Sequence, residues 1–506
     1  MPIQPFSGAD IPAFQPGQDE HFDLIAQYEN FFPDPLAPKT VLIVPSLSLD
    51  SQLLAQIEGH IHYEERLLCM LLLLRMPATQ VIYLSSMPID DSIIDYYLHL
   101  IAAVTSRHAR KRLHLLTCHD ASPQPLTAKI LQRPRLINRI RQCIPPGQVA
   151  HLTGFNITPL EEALAGQLEI PIYGCSSKLT HWGSKSGGRA LFRQADVRMP
   201  AGEENIDSMA AAAAALSQLK ATDPSLQKAV IKLNEGFSGD GNALFAYGPL
   251  RNVTENDLAN RLQPVAPGID YQKFTSKLQQ MGGIVEAFIE GTRKASPSVQ
   301  CRITPTGEID IISTHDQLLD QASGQVYLGA CFPANKDYAA DIAQLSESVA
   351  IQLRDKGVIG RFGIDFISVY QQGHWVHYAI EINLRKGGTT HPYLSLQLLT
   401  GGRYQAEQGQ FLTPQGSPRY YLATDNLQHQ NFKTLSPEDL IDLSIRHRLH
   451  YDHTTQDGLL FHLIGALPQY GKLGLVCIGQ SPRHAQRLYQ QTIDVLQAET
   501  AGYAQS

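Results

Sequence analysis

The chain has 506 residues, 43% hydrophobic and 18% charged, ordinary for a globular protein and long enough for about three domains of 100–200 residues. Lys+Arg number 41 against Asp+Glu 48, a net charge of −7, which speaks against a general nucleic-acid binder because such binding draws on cationic side chains. A local basic pocket for an anion stays compatible with that balance. Seven scattered cysteines without a C-x-x-C pair read as free thiols of a reducing compartment, with a zinc site or cysteine nucleophile as the lesser alternative. The N-terminus shows no basic and then apolar leader. The longest apolar run, Leu67 to Leu74, is far short of the roughly 20 residues that span a bilayer. A cytoplasmic protein with no membrane and no nucleic-acid partner is expected.

The first 40 residues, rich in proline and polar groups, read as an irregular arm. Thr40 to Val44 (TVLIV) reads as a buried strand, and a long helix is expected over roughly Ser51 to Arg75. Gln80 to Leu84 and Arg112 to Thr117 are further strands, with a helix from Ile93 to Thr105 between them. Such apolar strands alternating with helices predict a parallel sheet covered on both faces. No G-x-G-x-x-G follows the first strand, so a dinucleotide fingerprint is missing. Ile170 to Tyr173 is a short strand, and Gly183 to Gly188 (GSKSGG) a flexible junction. Leu191 to Gln194 and Ala210 to Lys220 are helical; strands dominate from Ala229 to about Ile312, and mixed α/β character resumes to His391. Gly401-Gly402 marks the next break, before helices mixed with apolar strands such as Gly474 to Gly479.

Three segments carry chemistry. In AVIKLNEGFSGDGNALF (Ala229 to Phe245) a strand delivers Lys232, and a loop follows with Gly236, Gly239 and Gly241 around Phe237, Ser238 and Asp240. Glycines let backbone N–H groups approach a polyphosphate, and a nearby lysine neutralises its charge. A plain hairpin turn on Gly-Asp-Gly-Asn is the alternative, and the two readings are compatible. In IGRFGIDFISVY (Ile359 to Tyr370), Asp365 lies in an apolar β stretch, where a carboxylate needs a cation or a partner such as Arg361. In AIEINLRKGGTTHPY (Ala379 to Tyr393), Glu381 and Asn383 are two apart and share a strand face. Those oxygens suit a hard cation such as Mg²⁺. Arg385 continues the alternation toward a phosphate, and a polar strand face is the competing reading.

In that order, the lysine strand, glycine-rich loop, aspartate strand and E-x-N-x-R strand resemble an ATP-grasp module. The resemblance implies ATP held between two α+β subdomains, with Asp365, Glu381 and Asn383 as ligands for Mg²⁺, or Mn²⁺ as an alternative. It adds Lys185, in GSKSGGRALFRQADVRMPAG, as a first phosphate lysine. Glu286, in MGGIVEAFIEG, becomes the glutamate opening an adenine hinge, with adenine against the backbone near Phe288 and Ile289. Thr292-Arg293-Lys294 stand where many members place an acid for the ribose, which leaves that contact unassigned.

Over nearly the whole chain VPSLSLD, HYEERLL, DYYLHL, SPSVQCRI, STHDQLL, EINLRKGGTTHPY, YYLATDNL and FHLIGALPQYGKLGLVCIG resemble the pheganomycin-type peptide ligases. The implied organisation is an α/β pre-ATP-grasp domain with a parallel sheet (1–182), a two-subdomain ATP-grasp module (183–400, divided at 285/286) and a small C-terminal α/β domain (401–506). The implied activity is ATP-dependent joining of a small carboxylic acid to an amine or peptide through an acyl phosphate. Arg361 and Arg385 are candidates to stabilise the oxyanion. His315 and His391 are candidates to contact substrate or take the ammonium proton, against a purely structural role for each. Ser296 and Ser298, around Pro297, line an acyl pocket or a plain turn. A homodimer is one assembly the resemblance allows. The alternatives are a phosphotransferase and a non-catalytic nucleotide binder.

Overall fold

A computed structural model of the chain describes residues 19–32, 34–49, 51–236, 241–266, 268–320 and 327–501. Four strands, β1 (Lys39–Val44), β2 (Thr79–Ser85), β3 (Leu113–Thr117) and β4 (Val149–Gly154), form a parallel sheet in the order β3-β2-β1-β4. Side chains alternate across a strand, and both faces are covered here. Val41, Ile43, Val81 and Tyr83 pack with Leu67, Leu68 and Leu71, whereas Leu42, Val44, Ile82 and Leu84 pack with Leu126, Ile130, Ile137 and Leu164. This is why the strands read as continuous apolar runs rather than as alternating ones.

The second sheet is antiparallel. Its strands are β5 (Gly202–Ile206), β6 (Lys228–Leu233), β7 (Asn242–Ala246), β8 (Gln263–Pro264) and β9 (Gly283–Ala287), in the order β5-β9-β6-β7-β8. Its core joins Ile231, Leu233 and Val285 to Ala212 and Leu216 of the helix Met209–Thr222.

The third sheet has nine strands: β10 (Lys294–Ala295), β11 (Pro297–Ile303), β12 (Ile309–Leu319), β13 (Tyr327–Phe332), β14 (Gly360–Gln371), β15 (His374–Asn383) and three strands beyond a small β16 (Arg403–Gln405) and β17 (Gln410–Leu412) ribbon, namely β18 (Tyr420–Gln428), β19 (Gly458–His462) and β20 (Lys472–Gly479). The order is β10-β14-β11-β12-β13-β18-β20-β19, with β15 on β14. The β13–β18 pairing fuses the last hundred residues to the sheet that begins near 294. Apart from the β16–β17 ribbon, the described residues of 401–506 therefore have no sheet of their own, contrary to the picture of a separate small α/β domain.

Several elements differ from the sequence reading. The long helix of Ser51 to Arg75 is two pieces, a helix Ser51–Gln56 and a 3₁₀ helix His60–Arg75, parted at Gly59 with φ +70°. The arm contains the helix Asp19–Asn30. The helix expected over Ile93 to Thr105 is Asp91–His99. Gly183 to Gly188 is no loose junction: the Ser184 hydroxyl accepts the Gly187 amide and caps the helix Lys185–Gln194. The supposedly strand-dominated stretch after Ala229 contains the helices Glu255–Arg261 and Tyr271–Met281. Ile172 makes only a bridge to Leu152. All seven cysteines are free, and no helix of the described residues is long and apolar enough to cross a membrane.

Candidate active site

Register builds the site. On β14, Gly363 and Asp365 share a face; β11 sets Gln300 and Ser298 opposite them, and β15 sets Asn383 and Glu381 opposite on the other side. Paired residues point the same way, so these six positions form one polar patch, and all six line a cleft of about 330 Å³. Gly363 leaves that floor open, since a Cβ there would sit 3.1 Å from the Gln300 amide nitrogen.

Asp365 and Glu381 are cross-strand neighbours. Asp365 Oδ1 accepts from Gln317 Nε2 at 2.8 Å, and Oδ2 accepts from Asn383 Nδ2 at 3.0 Å. Burial, reinforced by the Glu381 charge, pushes the Asp365 carboxyl up to about 6. Burial also works to raise Glu381, but Lys185, whose Nζ donates to Oε1 at 2.7 Å, and Arg385 outweigh it and hold that carboxyl below its ordinary value. Glu381 thus holds a direct ion pair, while Asp365 has amide and hydroxyl donors, and the Arg385 and Lys185 charges near it only partly offset burial and the Glu381 charge. Two carboxylates and an amide in this arrangement fit a hard divalent cation. The Asn383 amide would turn over to offer its oxygen, because Nδ2 now faces Asp365.

A second cleft adjoins the first. Lys185, Lys232, Lys294, Gly236, Gly241 and Ser296 line it, and it shares Gln317, Asp365 and Glu381 with the larger one. Lys185 is the first residue of its capped helix, and Lys232 stands on β6. The loop base is closed, with Leu233 N donating to Gly241 O at 2.8 Å, and a Cβ added to Gly236 would lie 3.3 Å from the Gly241 backbone. Phe237, Ser238, Gly239 and Asp240 lie outside the described residues.

Glu286 is buried and ion-paired with Lys232, and its other oxygen is 3.4 Å from Arg189 Nη1. It holds Lys232, a lysine of the second cleft. The Phe288 amide is already donated to Lys228 O at 3.1 Å, which removes it as an adenine donor, and the Ile289 carbonyl takes a long 3.5 Å bond from Lys294. Lys294, noted in the sequence only as a departure, is a third cation of the lysine cleft, its ammonium pushed down by burial. Ser298 lines the larger cleft from strand β11 rather than from a turn.

Arg385 lines the larger cleft. Arg361 does not join it: the side chain faces Arg302 across the β11–β14 pair. At about 3.3 Å per residue it is some 13 Å along the strand from Asp365, so a role at the reacting carbon is withdrawn. His315 is also misplaced. Its Nε2 is 2.6 Å from the Tyr421 hydroxyl, its ring lies against Phe332 and Tyr421, and burial pushes it down to about 3. It is a neutral core side chain and carries no proton to the site. His391 sits behind the cleft wall, 3.2 Å from Asp425 Oδ1, and burial pushes it down to about 4, which disqualifies it as a base in contact with substrate.

The sequence reading missed the far wall. Tyr63 and Arg66 of the 3₁₀ helix, Tyr327 of β13 and Asp425 of β18 close the larger cleft. Arg66 stacks on Tyr63 at 4.1 Å and reaches Asp425 Oδ2 with Nη2 at 2.6 Å, and both charges are buried. One signal was available: three consecutive charged residues, Glu64, Glu65 and Arg66, head an apolar run, and all three are buried. Gly388 admits the Tyr327 ring, which an added Cβ would meet at 2.8 Å.

Residues 178–264 and 258–386 match the family described as IQCH-like, ATP-grasp, and residues 446–492 match the PGM1 C-terminal domain. The chain is 28% identical to an L-propargylglycine–L-glutamate ligase of Streptantibioticus cattleyicolor over 88% of this chain and 92% of that one. It is 20% identical to the IQ motif-containing protein H of Danio rerio, matching 92% of its own length but only 49% of that longer protein. Among solved structures, a biotin carboxylase from Campylobacter jejuni in complex with an ATP analogue gives a TM-score of 0.55 at 14% identity, covering 91% of each chain. An ADP complex of N5-carboxyaminoimidazole ribonucleotide synthetase gives 0.51 at 11% identity, covering 92% of this chain and 98% of that one. Residues 178–386 therefore match an ATP-grasp family, in a chain that resembles an L-propargylglycine–L-glutamate ligase over most of its length.

Proposed function

We propose that the protein is an ATP-dependent carbon–nitrogen ligase that joins an amino-acid-like carboxylic acid to an amine or peptide through an acyl phosphate. One observation carries this reading: Asp365, Glu381 and Gln317 are common to a lysine-lined cleft and to a second cleft closed by the N- and C-terminal parts of the chain. A phosphoryl donor in the first and an acid in the second meet at those carboxylates. The relative's printed activity, ligation of two amino acids, agrees with a second cleft of about 330 Å³.

Lys185, Lys232 and Lys294 bind the polyphosphate of ATP as point charges. Asp365, Glu381 and Asn383 would hold magnesium, which would supply charge neutralisation at the transferring phosphoryl group. The acid's carboxylate oxygen attacks the γ-phosphorus, ADP leaves, and an acyl phosphate results. The amine then attacks the acyl carbon, and phosphate departs with the C–O bonding pair as the amide forms. Arg385, on the cleft wall, stabilises the tetrahedral oxyanion. Gly236 and Gly241 line the phosphate side of the lysine cleft, where water must be kept from the acyl phosphate. The segments 1–182 and 401–506 shape the acceptor side.

The test is ADP release from Mg²⁺-ATP with a panel of amino acids and short peptides, with hydroxylamine added in place of the amine. A ligase gives acid-dependent hydroxamate, and amine-dependent amide in its place. Acid phosphorylation with no amide from any amine returns a phosphotransferase. Tight ATP binding without turnover returns a nucleotide-binding regulator.

A further inference from the structure

Behind the cleft wall three donor atoms converge: Asp425 Oδ1, His391 Nε2 and His462 Nε2. The two nitrogens are 3.0 Å apart, and they lie 2.7 Å (His462) and 3.2 Å (His391) from the oxygen. All three residues are buried. They come from three places, namely the helix Thr390–Thr400 that follows the E-x-N-x-R strand, β18 and β19. They belong to the motifs KGGTTHPY, YYLATDNL and FHLIGALPQYG, in which the site above gives neither histidine a role.

Hydrogen bonding alone satisfies this triangle poorly. An imidazole offers each ring nitrogen either a proton or a lone pair. If both Nε2 atoms are protonated, two hydrogens crowd toward one oxygen with their nitrogens 3.0 Å apart. If His391 Nε2 is bare, its lone pair faces the carboxylate oxygen at 3.2 Å. A cation at the centre accepts all three lone pairs at once. Metal–ligand bonds of about 2.0–2.1 Å place neighbouring donors roughly 3 Å apart, which is the spacing found. The rings are also held in place. Gly474 lies under His462, and a Cβ there would fall 2.1 Å from Nε2, so β20 keeps open the space the ring fills. Arg66 Nη2, 2.6 Å from Oδ2, turns the other carboxylate oxygen toward the convergence point, the outer-shell orientation that metal ligands require.

We propose that His391, Asp425 and His462 form a second metal site, distinct from the hard-cation site at Asp365, Glu381 and Asn383, and selective for a borderline transition-metal dication such as Zn²⁺. Two imidazoles with one carboxylate favour such an ion over magnesium, which takes oxygen donors. The Arg66 charge beside the site opposes a dication and restricts occupancy to ions that imidazole binds strongly. Because Asp425 lines the larger cleft, the ion would pin the acceptor-side wall to the segment that follows the E-x-N-x-R strand.

The experiment is metal binding by the full chain, stripped with chelator and titrated with Co²⁺, then with Zn²⁺ in competition. One equivalent of Co²⁺ with ligand-field absorption, displaced by Zn²⁺ and insensitive to excess Mg²⁺, is expected. Glu381→Ala keeps this signal, whereas His462→Gln and Asp425→Asn each lose at least tenfold in affinity. Folded wild-type protein that takes up neither Co²⁺ nor Zn²⁺ overturns the proposal, and so does uptake unchanged in His462→Gln. The wild-type titration decides by itself should a variant fail to fold, which circular dichroism reports. Ligase activity is not read, so failure here is separate from failure of the proposed reaction.

Discussion

The two adjoining clefts were built in different ways. The lysine cleft takes Lys185, Lys232, Lys294, Asp365 and Glu381 from one continuous part of the chain, all but Lys294 within a short motif. The larger cleft adds Arg66, Phe155 and Asp425, which lie far apart in sequence and meet only in the folded chain, Asp425 on a strand of the same sheet as β11–β15. A site for a common nucleotide is thus locally encoded, whereas the site for the distinguishing substrates is assembled by tertiary contacts. If that division is correct, mutations should separate ATP parameters from acid and amine parameters according to the cleft they touch.

The largest effect is expected at the shared floor. Glu381→Ala removes a group common to both clefts and should lower ADP formation by about 10²–10³-fold, as loss of a transition-state electrostatic group does. A coupled ADP assay at saturating substrates checks this, and an unchanged rate would remove Glu381 from the chemistry. Lys232→Met should weaken ATP by about 1.5–3 kcal/mol, the worth of a hydrogen bond to a charged group, while the KM values of acid and amine hold. Arg66→Lys is the converse. It loses the planar fork and the stacking on Tyr63, and should raise KM for acid or amine by about tenfold with ATP unaffected. If ATP affinity moved equally, the two clefts would not be separable.

A smaller effect follows from Asp365. Its folded carboxyl lies at about 6, above the unfolded value of about 3.9. The folded apo protein therefore binds the extra proton, and this group's contribution to stability falls as pH rises from about 4 to 6. A cation must displace that proton, so Mg²⁺ affinity should rise by about tenfold per pH unit up to roughly 6 and flatten beyond it. Calorimetric titration of wild type and Asp365→Asn from pH 5 to 8 tests this, and a flat wild-type profile would contradict it. The smallest effect on turnover is expected from His315→Phe, which leaves the Tyr421 hydroxyl unpaired and should cost about 1–3 kcal/mol of stability with kcat unchanged. A large loss of kcat would reinstate the histidine at the site.

Sequence reading fared according to the same division. The spacing of Glu381 and Asn383 on an alternating strand placed both on one face, and Asp365 in an apolar strand announced a buried carboxylate; register then put them opposite one another. His315 and His391 drew attention as residues able to move protons, but a histidine looks alike in sequence whether it faces solvent, substrate or Phe332. Arg361 was misjudged for a related reason. It has the same strand parity as Asp365, and parity sets the face without setting the distance along it. Glu286 was assigned toward the nucleotide, yet it pairs with Lys232 and Arg189, since a buried carboxylate takes whichever cations the fold brings within reach.

The sequence by itself determined the parallel N-terminal sheet, the order of lysine, glycine-rich and carboxylate strands, and the resemblance to ATP-grasp ligases. These depend on period-two alternation and on short motifs whose parts are bonded neighbours. Only the tertiary structure decided that residues 401–506 extend the sheet of β11–β14, that Arg66 meets Asp425, and that two histidines and an aspartate converge behind the cleft. Those contacts join residues far apart in the chain, and their partners are chosen by packing and by the need to neutralise buried charge, neither of which leaves a periodic trace in the sequence.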